Sequence, residues 1–200
     1  MTNTDQDLAS KRVNFLAARN SWPLIGDPHL RFVTPQLKTA LEVWRSRCGS
    51  RTMPSRADMT IRDLKTVLPN LAFLAIERDG AQTRFKVRLA GCALDDFLSG
   101  RPTGHFIDEA VPERFAEKWS ALWQATVDAR APARTVGRVE FPNRRYYMSE
   151  ALYAPLAQDG ETPDMVMLVA YFHGFTDEGA RDGDIAVRLQ TEIGEHGVST

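Results

Sequence analysis

The spacing of apolar residues changes along the chain and so predicts where helices and strands lie. Apolar residues recur at helical spacing over 34–48, which predicts an amphipathic helix that begins at Thr34 and ends at Gly49. Residues 61–68 predict a short helix that Pro69 stops. A longer helix follows Pro112, and it carries an aromatic stripe at helical spacing made of Phe115, Trp119, Leu122 and Trp123.

Five further segments have the pattern of strands. Residues 71–77 form an almost continuous apolar run, and residues 84–90 alternate between apolar and polar side chains. Asp79-Gly80 between these two segments favours a hairpin turn. Three more strands follow the long helix, over residues 133–141, 144–156 and 164–172.

This order of elements predicts an α+β fold with a five-stranded antiparallel sheet and helices on one face. The first and last strands are apolar on both sides, so we expect them at the centre of the sheet. Their second face then needs a cover, which either helix 34–48 or a partner subunit could supply. We expect an N-terminal tail over residues 1–32, one domain over 33–175 and a C-terminal tail over 176–200.

Several motifs link this fold to a known family. The sequence reads P-S-R-A-D at 54–58, D-L…L-P from Asp63 to Pro69, R-F-x-V-R-L-x-G at 84–91 and T-G at 103–104. Together with Trp44 in the preceding helix, they resemble the stand-alone PAS-like proteins of alphaproteobacteria over roughly residues 33–175. The resemblance implies a sensory or protein-interaction domain of bacterial signal transduction, without an assigned ligand or catalytic activity.

Composition narrows the classes of partner. The chain has 25 basic and 26 acidic residues and a net charge of -1, so nothing attracts it as a whole to nucleic acid or anionic membrane. Arg144 and Arg145 stand beside Tyr146 and Tyr147, but true nucleic-acid modules show a wider basic face. We expect neither a nucleic-acid nor a membrane partner. No apolar run approaches the ~20 residues of a membrane helix, and two cysteines are too few for a disulfide framework, which predicts a soluble, cytoplasmic protein.

An arginine-rich segment between the first two predicted helices is one candidate site. Arg47, Arg51 and Arg56 could hold a phosphate or carboxylate of an anionic or nucleotide ligand, because guanidinium groups pair with such oxygens in bidentate fashion. In the alternative interpretation, Arg56 and Asp58 only fix the corner between two helices. The sequence favours the corner and leaves both alternatives open.

The space between the sheet and the long helix is the second candidate site. Its predicted lining includes Phe85, Phe106, Trp119, Trp123 and Tyr147. Such an aromatic set either encloses a small molecule or simply fills the core with its own side chains. The sequence favours the filled core and leaves both outcomes open.

Catalysis, metals and cofactors find little support in the sequence. No known catalytic motif is present, so we expect no enzymatic activity, no catalytic residues and no metal site. The histidines fall in positions unsuited to haem ligation, so we also expect no cofactor. The main hypothesis is a domain that binds a partner protein, with homodimerisation through the outer sheet face and helix 34–48. A small-molecule sensor is the alternative.

Overall fold

A computed structural model describes residues 3–80, 82–95, 100, 102–141, 144–174 and 183–195, without the side chains of residues 3–5, 95, 140, 141, 144–147 and 183. The helices are α1 (Asn3–Asn20), α2 (Pro35–Cys48), α3 (Ile61–Leu64), α4 (Cys92–Asp95), α5 (Ile107–Ala110), α6 (Glu113–Ala129) and α7 (Gly183–Glu195), with a 3-10 turn at Leu68–Asn70. The strands are β1 (Leu24–Asp27), β2 (Leu71–Asp79), β3 (Gln82–Ala90), β4 (Ala133–Phe141), β5 (Arg144–Leu156) and β6 (Met165–Gly174).

The described strands form one antiparallel sheet in the order β1-β4-β5-β6-β2-β3. The predicted α+β fold is confirmed, and the five predicted strands are present. The predicted number of strands is wrong by one, because β1 pairs along β4 from Leu24 opposite Gly137 to Asp27 opposite Arg134. β2 and β6 pair with each other inside the sheet, as the apolar character of both their faces predicts.

Helices cover both faces of the sheet. On the first face, Leu74 of β2 and Leu168 of β6 share a core with Trp123 of α6 and with residues of α1. On the second face, Phe73 of β2 shares a core with Trp44 of α2. Trp44 is fully buried, and its indole N–H donates to the Pro155 carbonyl at 2.8 Å, so both its ring and its polar group are satisfied. The sequence leaves helix 34–48 and a partner subunit open as covers of the second face, and in the structure α2 lies there, so the helices are not confined to one face of the sheet.

The predicted N-terminal tail over residues 1–32, for which the sequence allows some helix, contributes α1 and the edge strand β1 to the fold. α1 faces the core with small side chains, Ala9, Val13 and Ala17, whose apolar periodicity is weak in the sequence. Asn14 fixes α1 to β1 by two hydrogen bonds, because its amide donates to the Gly26 carbonyl at 3.0 Å and its carbonyl accepts from the Gly26 N–H at 2.7 Å. Small apolar side chains and the amide of Asn14 therefore attach this segment to the domain, although its hydrophobic pattern does not predict that attachment.

The C-terminal segment was predicted as a tail over residues 176–200 with at most a short helix. α7 spans 13 residues of it and packs on the same sheet face as α2. Its buried residues, Ala186, Leu189 and Ile193, share a small core with Val136 of β4 and Met148 of β5. Three apolar residues at helical spacing are enough to dock the helix, although the surrounding sequence is largely polar.

A buried charge cluster also connects α7 to the sheet. Arg134 of β4 is 1% exposed, and its guanidinium group lies 2.6 Å from Glu150 of β5, 3.1 Å from Asp27 of β1 and 2.8 Å from Glu192 of α7. Glu150 also accepts hydrogen bonds from the backbone N–H groups of Val33 and Thr34. The cluster therefore joins β1, β4, β5, the start of α2 and α7.

The predicted ends of α2 are confirmed. Thr34 takes the N-cap position and Gly49 follows the helix with a positive φ of 59°. The Thr34 hydroxyl does not cap the α2 backbone and is instead hydrogen-bonded to His173 Nε2 of β6 at 3.0 Å. This bond gives the start of α2 a second attachment to the sheet, beside Glu150.

Candidate functional site

A cavity of about 100 Å³ lies on the first face of the sheet, between α6 and strands β4, β5 and β6. Side chains of β1 and α4 complete its wall. The lining residues come from six elements, and they are Leu24, Leu94, Phe115, Lys118, Trp119, Leu122, Trp123, Thr135, Gly137, Arg138, Val139, Ser149, Ala151, Tyr153, Leu168, Ala170 and Phe172.

The cavity exists because small side chains of the sheet lie opposite large side chains of α6. Strand alternation places Thr135 and Gly137 of β4, Ser149 and Ala151 of β5 and Ala170 of β6 on the face toward α6. Those five residues are too small to reach the rings of α6. The space left between them is therefore a consequence of residue size on two facing elements.

Aromatic rings form the opposite wall. Phe115 and Trp119 stack with their centroids 5.7 Å apart, and Trp119 and Trp123 follow at 6.4 Å. Phe85 of β3 meets the Trp123 ring edge-on at 5.3 Å from behind, without lining the cavity. Because each ring is held by the next, the wall has a defined shape.

The edge strand β1 closes one side of the cavity through Leu24. Gly137 permits this approach, because a Cβ atom at Gly137 would lie 2.8 Å from the Leu24 Cβ. The N–H of Arg138 also donates to the Pro23 carbonyl at 2.8 Å. The segment that the sequence assigned to a tail therefore supplies part of the cavity wall.

One buried pair of hydroxyl groups gives the cavity a polar point. The Thr135 hydroxyl and the Tyr153 hydroxyl are 3.2 Å apart, and both side chains are less than a tenth exposed. Burial raises the pKa of Tyr153, so its phenol stays protonated at neutral pH. Ser149 also lines the cavity, but its hydroxyl already donates to the Gly137 carbonyl at 3.1 Å.

Two lining residues, Arg138 and Lys118, are cationic. Arg138 lies between Gly137 and Val139 on β4, so strand alternation directs its side chain to the opposite face. Lys118 of α6 is half-buried, and its ammonium group lies 6.0 Å from the centre of the ring of Trp22, which is not among the lining residues. The lining is therefore mainly apolar, with the hydroxyl groups as its buried polar groups.

The predicted arginine site has a different arrangement. Arg47 lies 2.6 Å from Asp63, and Arg51 lies 2.8 Å from Asp58. Arg51 also donates to the carbonyls of Arg47 and Cys48 at the end of α2. These bonds satisfy carbonyl groups that a helix end leaves without partners.

Arg56 and Asp58 fix the same corner. Arg56 donates to the Met59 carbonyl at 2.9 Å, and its guanidinium carbon lies 4.0 Å from the centre of the Phe73 ring. Asp58 accepts from the Ser55 N–H and hydroxyl, each at 2.8 Å, and these bonds together with the bond from Arg51 lower the pKa of Asp58. The contacts of all four residues are those of a structural corner, and ligand binding by the arginines stays a prediction.

The aromatic residues predicted to line the cavity differ in their positions. Trp119 and Trp123 line the cavity, and Phe85 supports it from behind. Phe106 lies at the outer edge of β3, where the Arg84 guanidinium covers its ring at 3.8 Å. Tyr147 belongs to β5, but its side chain is outside the described part of the chain, so its predicted role is not tested.

Sequence reasoning missed the sheet side of the cavity, above all Thr135 and Tyr153. A signal was present, because the predicted strands over 133–141 and 144–156 place Thr135, Ser149, Ala151 and Tyr153 at alternate positions. What the sequence lacked was the face of each strand that meets the helix. That face depends on the pairing register and on the position of α6.

The described residues also bear on metal binding and on membrane insertion. They contain no group of three or more His, Cys, Asp or Glu side chains placed to hold a metal ion. Among the helices that the structure describes, none combines the length and the apolar character needed to cross a membrane.

The chain matches the model of a known protein family. A family model described as PAS domain matches residues 33–169, which is more than half of the chain. The matched region includes α2, the cavity helix α6 and most of the sheet, and it excludes α1, β1 and α7. A search of curated proteins found no match.

Proposed function

The chain belongs to the PAS domain family, and from this premise we propose that it senses a small molecule held in the cavity between α6 and the sheet. PAS domains are in general sensory and signalling modules. Since one fold hosts many functions, the family does not name a ligand and the argument must come from the site. The observation that carries the proposal is the space of about 100 Å³ between the small residues of the sheet and the rings of α6.

The size of the cavity limits what it can hold. An engineered cavity of about 150 Å³ in another protein binds benzene, while one water needs only about 10–15 Å³. The present cavity is smaller than the first and several times larger than the second. It therefore suits a ligand whose enclosed part is about the size of a five-membered ring.

Filling the cavity tests the proposal. Ala170→Leu on β6 adds three carbon atoms to the cavity side of the sheet, which the available space can accept. Each buried carbon stabilises by up to about 0.8 kcal/mol, so we expect the free energy of unfolding to stay level or to rise by up to about 2 kcal/mol. We also expect the variant to lose any ligand that the wild type carries when purified from its own host, as measured by native mass spectrometry.

Ala154→Leu is the matched control. Ala154 lies on β5 but faces the second core, where it is fully buried among side chains of α2 and β6. The same three carbons there overpack the core, which costs about 1–3 kcal/mol, while ligand binding persists. Equal destabilisation by both substitutions, or a wild type that never carries bound mass, would count against a ligand cavity.

A second candidate function is homodimerisation, and one observation favours a particular surface. The predicted dimer surface is the outer face of the sheet together with α2. In the structure, α2 and α7 pack on that face, so the apolar strand residues that suggested a dimer are already buried within the chain. Among the described side chains, the exposed large apolar groups are Leu8 (55%) and Phe15 (63%) of α1, Ile61 (65%) of α3 and Val187 (51%) of α7, so α1 alone carries two of them. Leu8 and Phe15 are seven positions apart and lie on one face of α1, which we propose contacts a second copy of the chain.

Light scattering of wild type and Phe15→Glu tests the dimer. We expect a mass near twice that of the chain for wild type and a monomer for the variant, because a buried carboxylate without a partner opposes association. Lys38→Glu on the exposed side of α2 serves as the control and should leave the mass unchanged. A monomeric wild type at concentrations on the order of tens of micromolar would remove this candidate. Binding of a partner protein stays a proposal beside it.

A further inference from the structure

The two hydroxyl groups in the cavity carry one hydrogen that their mutual hydrogen bond does not use. Thr135 and Tyr153 carry one O–H group each, and only one hydrogen is needed for the bond between them. No second acceptor for either hydroxyl is found among the described residues. A buried donor without an acceptor costs about 1–3 kcal/mol, so the pair favours whatever brings an oxygen or nitrogen acceptor to it.

The remaining surface of the cavity disfavours charge. Its walls consist mainly of aromatic rings and aliphatic side chains. Arg138 points to the opposite face of the sheet, and the Lys118 ammonium group lies beside the ring of Trp22, which is not among the lining residues. An ionised carboxylate placed beside Tyr153 would lose its hydration without gaining a cation. A neutral acceptor avoids that cost.

We propose that the ligand is a neutral, mostly apolar molecule whose single acceptor oxygen, of the ketone, aldehyde or ether type, accepts a hydrogen bond from the Thr135–Tyr153 pair. The inference rests on the proposed function, because it concerns the same cavity. Tyr153 and Thr135 are then the residues that determine specificity, and the rings of α6 supply the apolar contact area. A hydrocarbon of the same shape leaves the spare hydrogen without a partner and binds more weakly.

Three small probes separate the alternatives. Cyclopentanone has the proposed oxygen, methylenecyclopentane replaces that oxygen by a CH2 group, and cyclobutanecarboxylate carries a negative charge. Their dissociation constants are measured by NMR titration of the backbone amide signals of β4 and β5. We expect wild type to bind the ketone about threefold to tenfold more tightly than the hydrocarbon, the effect of one neutral hydrogen bond, and to bind the anion most weakly.

Variants then test the residues. Tyr153→Phe combined with Thr135→Val removes both hydroxyl groups and should reduce the preference for the ketone to about onefold to twofold, while binding of the hydrocarbon persists. Each single substitution leaves one O–H group without its former partner, so Tyr153→Phe alone and Thr135→Val alone should keep a preference for the ketone. Tyr153→Phe with Thr135→Ala provides a second double variant if the first does not fold. Ser149→Ala is the matched control, because the Ser149 hydroxyl already donates to the Gly137 carbonyl and should not affect the preference.

The outcomes distinguish this inference from the function on which it rests. If the hydrocarbon binds as tightly as the ketone, or the anion binds best, the ligand class is wrong although the cavity still binds molecules. An unchanged preference in the variant that lacks both hydroxyl groups would also overturn the assignment. If no probe binds to wild type, or only water enters the cavity, both the inference and the cavity-based function fail.

Discussion

Arg134→Met is the substitution for which the structure predicts the largest loss of stability. Arg134 is 1% exposed, and the carboxylates of Glu150 and Asp27 beside it are 0% and 6% exposed. Methionine has a similar length but no charge, so both carboxylates lose their buried cation. Burial opposes the charge of Arg134, but its hydrogen bonds and the charges of Glu192 and Glu150 raise its pKa above the ordinary value, so it is charged at any working pH.

The expected loss of unfolding free energy depends on the hydrogen bonds that Glu150 and Asp27 keep in the variant. Breaking a buried ion pair by removing one partner costs about 3–5 kcal/mol, since the other charge stays buried. Glu150 keeps hydrogen bonds from Val33 and Thr34, and Asp27 keeps those from His29 and Arg31, which limits the loss. We therefore expect about 3–4 kcal/mol, a large part of the roughly 5–15 kcal/mol that stabilises a typical domain.

Urea unfolding followed by circular dichroism measures this loss. The exposed pair Arg47–Asp63 supplies the control, because Arg47→Met should cost at most about 1 kcal/mol. A cost below about 1 kcal/mol for Arg134→Met would refute the view that a buried cation organises this cluster.

Three further predictions concern the corner and the C-terminal helix. Arg56→Ala should lower the free energy of unfolding by about 1–2 kcal/mol through loss of the Phe73 and Met59 contacts, and unchanged stability would favour a binding role instead. The pKa of Asp58 is held below its ordinary value of 3.8, so its carboxylate stabilises the fold above that pH and loses this effect as pH falls through the lowered value. Asp58→Asn should accordingly be less stable than wild type at neutral pH and approach it in acid-unfolding measurements well below pH 3.8. Glu192→Gln should speed amide hydrogen exchange within α7 alone, and the exposed Glu195→Gln should not.

The corner over residues 51–59 shows how far local sequence reasoning reaches. Several of its hydrogen bonds join near neighbours in the chain, such as Asp58 with Ser55 and Arg56 with Met59, whereas the contact of Arg56 with Phe73 joins residues farther apart in the sequence. Turn chemistry predicts such short-range bonds, so the sequence alone favours a structural role for Arg56 and Asp58. The cavity is different, because Tyr153 and Thr135 are 18 positions apart and meet only through the pairing of β4 with β5.

The kind of fold, the five longer strands, the two principal helices and the family motifs can be predicted from the local spacing of apolar and turn-forming residues. The sixth strand and two helices that residues 1–32 and 176–200 add to the fold depend on packing in three dimensions. Those segments are held by small side chains and by single polar groups such as Asn14 and Glu192, which give a weak hydrophobic pattern. The cavity beside the aromatic stripe of α6 also depends on the tertiary structure. The register of the sheet places small side chains opposite the aromatic rings, and their size leaves the space empty.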